Sequence, residues 1–539
     1  MQSRCVRLRS TLSVCLLSAL YGSMVSPAIS APPTPTYLFP AGAQRGTTIE
    51  VATGGTLSKW PVDVWVSGRG VSAKAAADKG KLTVTVAADA VPGVYWLRLT
   101  DDDGVSGARP FVVGTLPEVR EQEPNDDPKK PQPIDKPCVV NGRLEKNGDV
   151  DCYAVPLKKG QTLVAALEAN TTLRSPMDGV LQVASADGFV LASNNDHTGL
   201  DPLVAFEAPK DGSYVIRAFA FPATPDSSIR FAGGEAYVYR LTLTTSGYAD
   251  YPWPLAVARD GPEKVEVIGW NVPAAAKALT VKPDDPVMFH PEVANSVRVL
   301  IERHACVARP VGAEPYALAS PVTVSGRLRE PQAIDSYVFT ANKGQRLVAH
   351  VESSSLGLPV APVIAVADSA GKELTRAEPP GLDRDTELAF TAPANGLYTL
   401  TVRDRFGDGG PRHAYRLRLV PPTPDFALAL KADQLALDAG KSLDVPVTLQ
   451  RLNGFAGDVD LSVDGLPLGV RSETAAGPNN QLTLRLTAEG ESSATVRIRV
   501  RGRAKGDPTM VRLAAAPLGE FNATPPDIWL TVRVRGRKP

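Results

Sequence analysis

Between Arg120 and Asp127 the chain reads Arg-Glu-Gln-Glu-Pro-Asn-Asp-Asp, four carboxylates and two carboxamides within seven consecutive residues. Pro124 forbids a regular helix through the run, and on an extended backbone Glu121, Glu123 and Asn125 project to one side. Asp149 and Asp151 repeat the period of two in Asn-Gly-Asp-Val-Asp. Hard oxygens crowded in this way are what calcium takes, about six to eight of them at about 2.3–2.6 Å, whereas magnesium demands a tighter octahedron and keeps its waters. Two such segments converging would hold one ion and close the linker onto a folded unit. An isolated acidic run is otherwise a solvated linker whose charges repel.

Other chemistry has little to stand on. The chain has no H-E-x-x-H, G-x-S-x-G, phosphate-binding glycine loop or C-x-x-C-H. His197, His290, His304, His350 and His413 are scattered singly, and His304-x-Cys306 lacks a third or fourth ligand nearby. The polar loop Asn194–Asp201 is explained by turn chemistry, and is the place where an unfamiliar hydrolase or a second ion would sit. The expectation is a protein that is not an enzyme.

The elements that must position the acidic groups show in a repeat. Gly142-Arg-Leu, Asp151-x-Tyr, Gly160-Gln-x-Leu-Val-Ala and Ala208-Pro-x-x-Gly-x-Tyr recur in order and at matching spacing as Gly326-Arg-Leu, Asp335-x-Tyr, Gly344-Gln-x-Leu-Val-Ala and Ala392-Pro-x-x-Gly-x-Tyr. Two related folded units are implied. Within each, apolar residues alternate with period two between Lys-Gly or Asn-Gly turns, the pattern of antiparallel strands. The second copy lacks the Asn and Asp of the acidic run and has Ala333 where the first has Asp149. No tight ion is expected there, and Asp335 is expected to hydrogen-bond locally.

A length of 539 residues asks for several domains, and 48 Pro with 45 Gly favours short strands over long helices. The reading is all-β: a secretory signal over 1–30, a small immunoglobulin-like β-domain over 35–115, a first sandwich over 118–247, and a degenerate small β-domain over 248–310. A second sandwich over 311–421 and an immunoglobulin-like sandwich over 425–537 complete it. The signal rests on Arg4, Arg7 and Arg9 before the apolar run Leu12–Leu20, with cleavage after Ser30. No membrane span is expected after cleavage. The 58 basic and 58 acidic residues balance, so nothing attracts nucleic acid globally. Cys138 and Cys152 flank a turn and either form a disulfide across it or stay as buried thiols.

The segments EQEPNDD, NGRLEKNGDVDCYAVPLKKGQ and APKDGSYVIRAF resemble the bacterial pre-peptidase C-terminal domain, a family related to the collagen-binding domains of secreted bacterial collagenases. The resemblance covers 118–246 well and 314–420 less completely. The preceding FPAGAQRG module is similar to the immunoglobulin-like domains that accompany this family. The resemblance implies a jelly-roll-like sandwich with calcium at its N-terminal edge, held by Glu121, Glu123, Asn125, Asp126, Asp149 and Asp151. It also implies a ligand face on a late strand, matched here by Phe219 and Phe221, which lack the tyrosine hydroxyl. The expected function is that of a secreted, periplasmic or cell-surface adhesion protein that docks to an extracellular polymer or protein. The alternative is an accessory to a secreted peptidase.

Overall fold

The computed structural model describes residues 31–534 except 226, 228, 229, 262, 263, 285, 313, 314, 382, 383, 477–480, 491, 492, 522, 524 and 526. The expected signal segment and Glu314 lie outside the described residues. The protein is all-β, and its described helical turns are short: Asn170–Leu173, Ala274–Ala276 and Ser354–Leu356. No helix among the described residues is long and apolar enough to cross a membrane.

Residues 34–114 form two facing sheets around Leu38, Val51, Leu82, Val84, Leu97, Leu99 and Phe111. The first large sandwich follows. One of its sheets runs Glu118–Arg120, Cys138–Arg143, Val238–Thr244, Thr162–Glu168, Leu203–Glu207, and the other runs Gln132–Pro133, Asp151–Leu157, Gly212–Pro222, Met177–Ala184, Val190–Asn194. Between them lies a core that includes Leu144, Tyr153, Leu181, Ile216, Tyr239 and Leu241. The second sandwich repeats this order strand for strand, beginning with Ala305–Ala308 alongside Val322–Arg327. Ala305–Ala308 therefore belongs to the second sandwich rather than to the small module. It makes the parallel edge pairing that Glu118–Arg120 makes with Cys138–Arg143. The small module between the sandwiches has a three-stranded sheet over Tyr248–Trp253, Lys264–Trp270 and Ala278–Thr280 and a modest core of its own. The last module, from Asp425, is one nine-stranded sheet around a single core.

Glycine in the repeated Gly-Arg-Leu motif has a packing reason. Gly142 lies opposite Tyr239 in register, and a Cβ on it would sit 2.2 Å from the ring carbon Cζ. Gly326 stands to Tyr415 in the same way, at 2.3 Å. Each ring lies flat across its partner glycine, which places its hydroxyl against Asp151 or Asp335. Gly142→Ala must displace a fully buried tyrosine and should cost about 1–3 kcal/mol in chemical denaturation. An unchanged unfolding midpoint would contradict this account of the motif.

Neighbouring modules are locked by arginines. The Arg143 guanidinium lies over Phe39 (4.4 Å) and Tyr37 (5.1 Å), and Arg327 repeats the contact over Trp253 (4.3 Å) and Tyr251 (5.6 Å). Arg98 of the first module forms a buried ion pair with Asp433 of the last. Trp65 meets Trp529 edge to face at 5.4 Å, so the chain's first and last modules pack on each other.

Cys138 and Cys152 are free and face different environments. Cys138 points into the main core, while Cys152, on the other sheet, joins a satellite cluster with Val180, Val215 and Phe219. Because consecutive strands enter opposite sheets, the turn between them does not close a hairpin, and the disulfide alternative fails. Burial pushes both thiols up to about 11, and they behave as small apolar side chains.

Candidate metal centre

The acidic run is a strap across the open end of the first sandwich. The Glu121 amide donates to the Asn141 carbonyl (3.1 Å) on one sheet, and the Asn125 carbonyl accepts from the Cys152 amide (3.2 Å) on the other. The strap thus bridges both sheets and carries its side chains over Asp149 and Asp151. Asp151 opens the strand Asp151–Leu157, and Asp149 is set two residues before it by a turn in which its amide donates to the Lys146 carbonyl (3.2 Å).

Under the strap the oxygens converge. Glu123, Asp126, Asp149 and Asp151 each bring a carboxylate oxygen within 4.8 Å of the others. Asn125, Asp149 and Asp151 are buried, at 1%, 1% and 0% exposure, while Glu123 and Asp126 stay exposed and form a mouth towards solvent. The hydrogen-bond network orients the Asn125 carboxamide with its NH2 inward, donating to Glu123 Oε1 and Asp151 Oδ1 at 3.1 Å each. Turned by half a rotation, its oxygen would be available to a cation in their place. Asp149 accepts the Glu145 amide on Oδ2 (2.5 Å), whereas its Oδ1 is buried without a hydrogen-bond partner among the described residues. Such an orphaned acceptor costs about 1–3 kcal/mol, and more when charged.

The electrostatics are unfavourable for anions left alone. Two like charges about 4 Å apart repel by about 4 kcal/mol at a near-surface effective dielectric. Lys146 reaches Asp126 at 3.4 Å, but its side chain is 67% exposed. Burial first, then the neighbouring Glu123 and Glu145 charges, push Glu121 up to about 8 despite the Arg143 amide donated to its Oε2 (2.7 Å). Burial and Asp126 push Asp149 up to about 6. Burial and the Glu121 charge hold Asp151 well above the usual carboxylate range, opposed by the Tyr239 hydroxyl that donates to its Oδ2. Glu123 is raised too, again chiefly by burial. The donor set of hard oxygens, one of them orphaned, fits a calcium-sized cation.

The second sandwich shows the same scaffold with a different counter-charge. Tyr337 and Tyr415 share a hydroxyl hydrogen bond (2.6 Å) and Tyr415 donates to Asp335 Oδ2 (2.5 Å), as Tyr153, Tyr239 and Asp151 do in the first. At the ladder position of Glu121 stands Arg309, whose amide donates to the Ser325 carbonyl (2.9 Å). Its guanidinium pairs with Asp335 Oδ1 at 2.9 Å. Asp335 is therefore not locally bonded, as its sequence suggests, but ion-paired across the sandwich. Sequence alignment misses Arg309 because the segment from it to Gly326 is four residues shorter than that from Glu121 to Gly142. Only the strand register brings the two positions into correspondence.

Of the sequence-derived residues, the six acidic and amide groups meet at one place, with Glu121 at the edge beside Asp151. The ligand-face pair does not hold together. Phe219 is 6% exposed beneath Phe231 (ring centroids 4.6 Å apart), and only Phe221 reaches the surface. Alternation on the strand places both rings on one face, but the loop carrying Phe231 folds back over that face. In the loop Asn194–Asp201, Asp201 accepts the amides of Asn170 (2.7 Å) and Thr171 (3.0 Å), which is turn and cap chemistry. A second acid-imidazole group, His350, Glu352 and Asp385, is already neutralised, with Arg416 on Glu352 and Arg418 donating to His350 Nδ1 (2.7 Å).

No family model matches the chain. A probable subtilase-type serine protease of Deinococcus radiodurans is 32% identical over 96 residues, which cover 17% of this chain and 13% of that protein. The chain thus matches a small part of that relative's length. Among solved structures, the pre-peptidase C-terminal domain of a collagenase from Bacillus anthracis is 19% identical, covering 19% of this chain and 92% of that one with a TM-score of 0.16. Fibronectin(III)-like modules of Clostridium thermocellum CbhA are 16% identical over 36% of this chain and 93% of theirs, with a TM-score of 0.14.

Proposed function

We propose that the protein is a secreted or surface-exposed, non-catalytic binding protein of tandem β-sandwiches, in which calcium clasps the strap of the first large sandwich. Glu123, Asn125, Asp126, Asp149 and Asp151 would hold the ion, with Glu121 behind them. One observation supports this reading: the second sandwich answers the same buried Asp-Tyr-Tyr arrangement with the Arg309 guanidinium, where the first has the Glu121 carboxyl, a group that supplies no positive charge. Among the described residues no guanidinium stands beside Asp151 as Arg309 does beside Asp335, and a bound cation would supply that charge. Magnesium is the weaker candidate, since a strap of mixed carboxylate and amide oxygens suits a larger, irregular coordination shell. Calcium titrated into the full chain should give heat for one site, with magnesium competing only at much higher concentration. Absence of heat, or an equal response to Asp149→Asn, would remove the clasp.

The modules would serve to dock the chain to an extracellular polymer or protein. A second reading, an accessory to a secreted peptidase, is favoured by the short match to the subtilase-type protease. Co-purification of a peptidase with the full chain would support it, and its consistent absence would not.

A further inference from the structure

The strand Ala494–Ala504 in the last module alternates without interruption. Ile498, Val500 and Ala504 are buried at 0%, 0% and 3% exposure, while Arg497, Arg499, Arg501 and Arg503 face outward. At about 3.4 Å per residue, four arginines on every second position make a row about 20 Å long. The strand lies inside the sheet, paired with Val459–Asp464, Asp507–Ala515 and Ile528–Arg533, so the row crosses a broad face rather than an edge. Although the whole chain is neutral, ten basic but only three acidic residues fall between positions 494 and 539.

At its end the Arg497 guanidinium sits over the half-buried Trp65 ring (5.4 Å), next to a cleft of about 640 Å³ whose charged lining is Lys59, Asp63, Asp101 and Asp102. Aspartates are interleaved with the arginines. Asp527 takes Arg499 (2.5 Å) and Arg497 (3.5 Å), Asp464 takes Arg501, and Asp460 lies opposite Arg503. The side chains of Arg497, Arg499 and Arg501 are 48%, 52% and 40% exposed. Exposed pairs of this kind contribute only about 0–1 kcal/mol each, so they exchange readily for an external anion.

We propose that this arginine row binds an acidic polysaccharide. The inference deepens the binding role above and rests on it for the extracellular setting. Guanidinium groups take carboxylate or sulfate in bidentate fashion. The interleaved aspartates accept hydrogen bonds from sugar hydroxyls, whereas a DNA backbone has no such donors and would meet them as repulsion. That contrast selects a charged polyol over DNA.

The test uses the full chain on immobilised hyaluronan (carboxylate only), heparin (sulfate), neutral dextran and single-stranded DNA at low salt. Retention on hyaluronan or heparin and not on dextran is expected, and the two arms tell carboxylate from sulfate recognition. Arg499→Ser with Arg501→Ser should weaken it about tenfold or more, the loss of one or two charge-assisted hydrogen bonds. Arg485→Ser, which breaks an exposed pair with Asp444 elsewhere on the module, should leave it unchanged. If the double variant does not fold, Arg503→Gln, an exposed change away from the core, carries the test with a smaller loss. Equal retention of the ladder variants, tighter binding of DNA, or no retention on either acidic polymer would overturn the proposal. Ladder-independent retention on a protein polymer such as gelatin would overturn it while leaving the binding role intact.

Discussion

Calcium at a hundredfold excess over its dissociation constant should stabilise the first large sandwich by about 2.7 kcal/mol, and Asp149→Asn should remove most of that gain. In chelator, the variant is expected to be more stable than the parent. The amide keeps its carbonyl on the Glu145 N–H, supplies a donor where Asp149 Oδ1 has no partner, and removes one buried charge. In calcium the order reverses, because the parent gains a ligand that the variant holds weakly. Denaturation curves of both proteins in chelator and in calcium measure this crossing, and two parallel shifts would sink the clasp.

The pH dependence of the calcium-free chain follows from the same groups. Glu121 moves from 4.5 up to about 8 and Asp149 from 3.8 up to about 6 on folding. The folded state therefore binds more protons than the unfolded state between those limits, and stability falls as pH rises through this window. Below about pH 4 both states are protonated at these groups and the contribution is at its largest; above about pH 8 it is lost. Calcium should flatten the fall and release protons on binding, more at pH 6 than at pH 9, which calorimetry in buffers of different ionisation enthalpy reads directly. A calcium-free stability that instead rises from pH 5 to pH 8 would show the acids to be paired by something other than protons.

Exchanging the two sandwiches' counter-charges should exchange their behaviour. Arg309→Ala leaves Asp335, 4% exposed, without its guanidinium, and removing one partner of a buried ion pair costs about 3–5 kcal/mol. The reciprocal change, Glu121→Arg, places a guanidinium beside Asp151 on the same tyrosine scaffold. That variant should be as stable without calcium as the parent is with it, and should give no calcium heat. A loss below about 1 kcal/mol for Arg309→Ala, or a calcium response preserved in Glu121→Arg, would separate the two sites and remove the parallel between them.

Much of this was legible along the chain. The period of two, the Gly turns and the matched spacing of the repeated motifs state local geometry, and the strands lie where those patterns put them. The acidic run and the Asp149–Asp151 pair could be joined on paper because each obeys the strand period and calcium chemistry asks for both. Cys138 and Cys152 misled, since a turn between two alternating segments reads as a hairpin whether the segments share a sheet or face one another. Phe219 misled because its exposure is decided by a loop that ends at Phe231.

The sequence by itself determined an all-β chain of repeated sandwiches and an acidic strap suited to a hard cation, because alternation, turns and ligand type are properties of neighbours in the chain. Only the tertiary structure decided which groups share a charge: that Tyr239 and Tyr153 brace Asp151, that Asp149 keeps an orphaned oxygen, and that Arg309 stands where Glu121 does. Those depend on strand register and on the packing of two sheets, which bring together residues separated by tens of positions and are invisible to any local pattern.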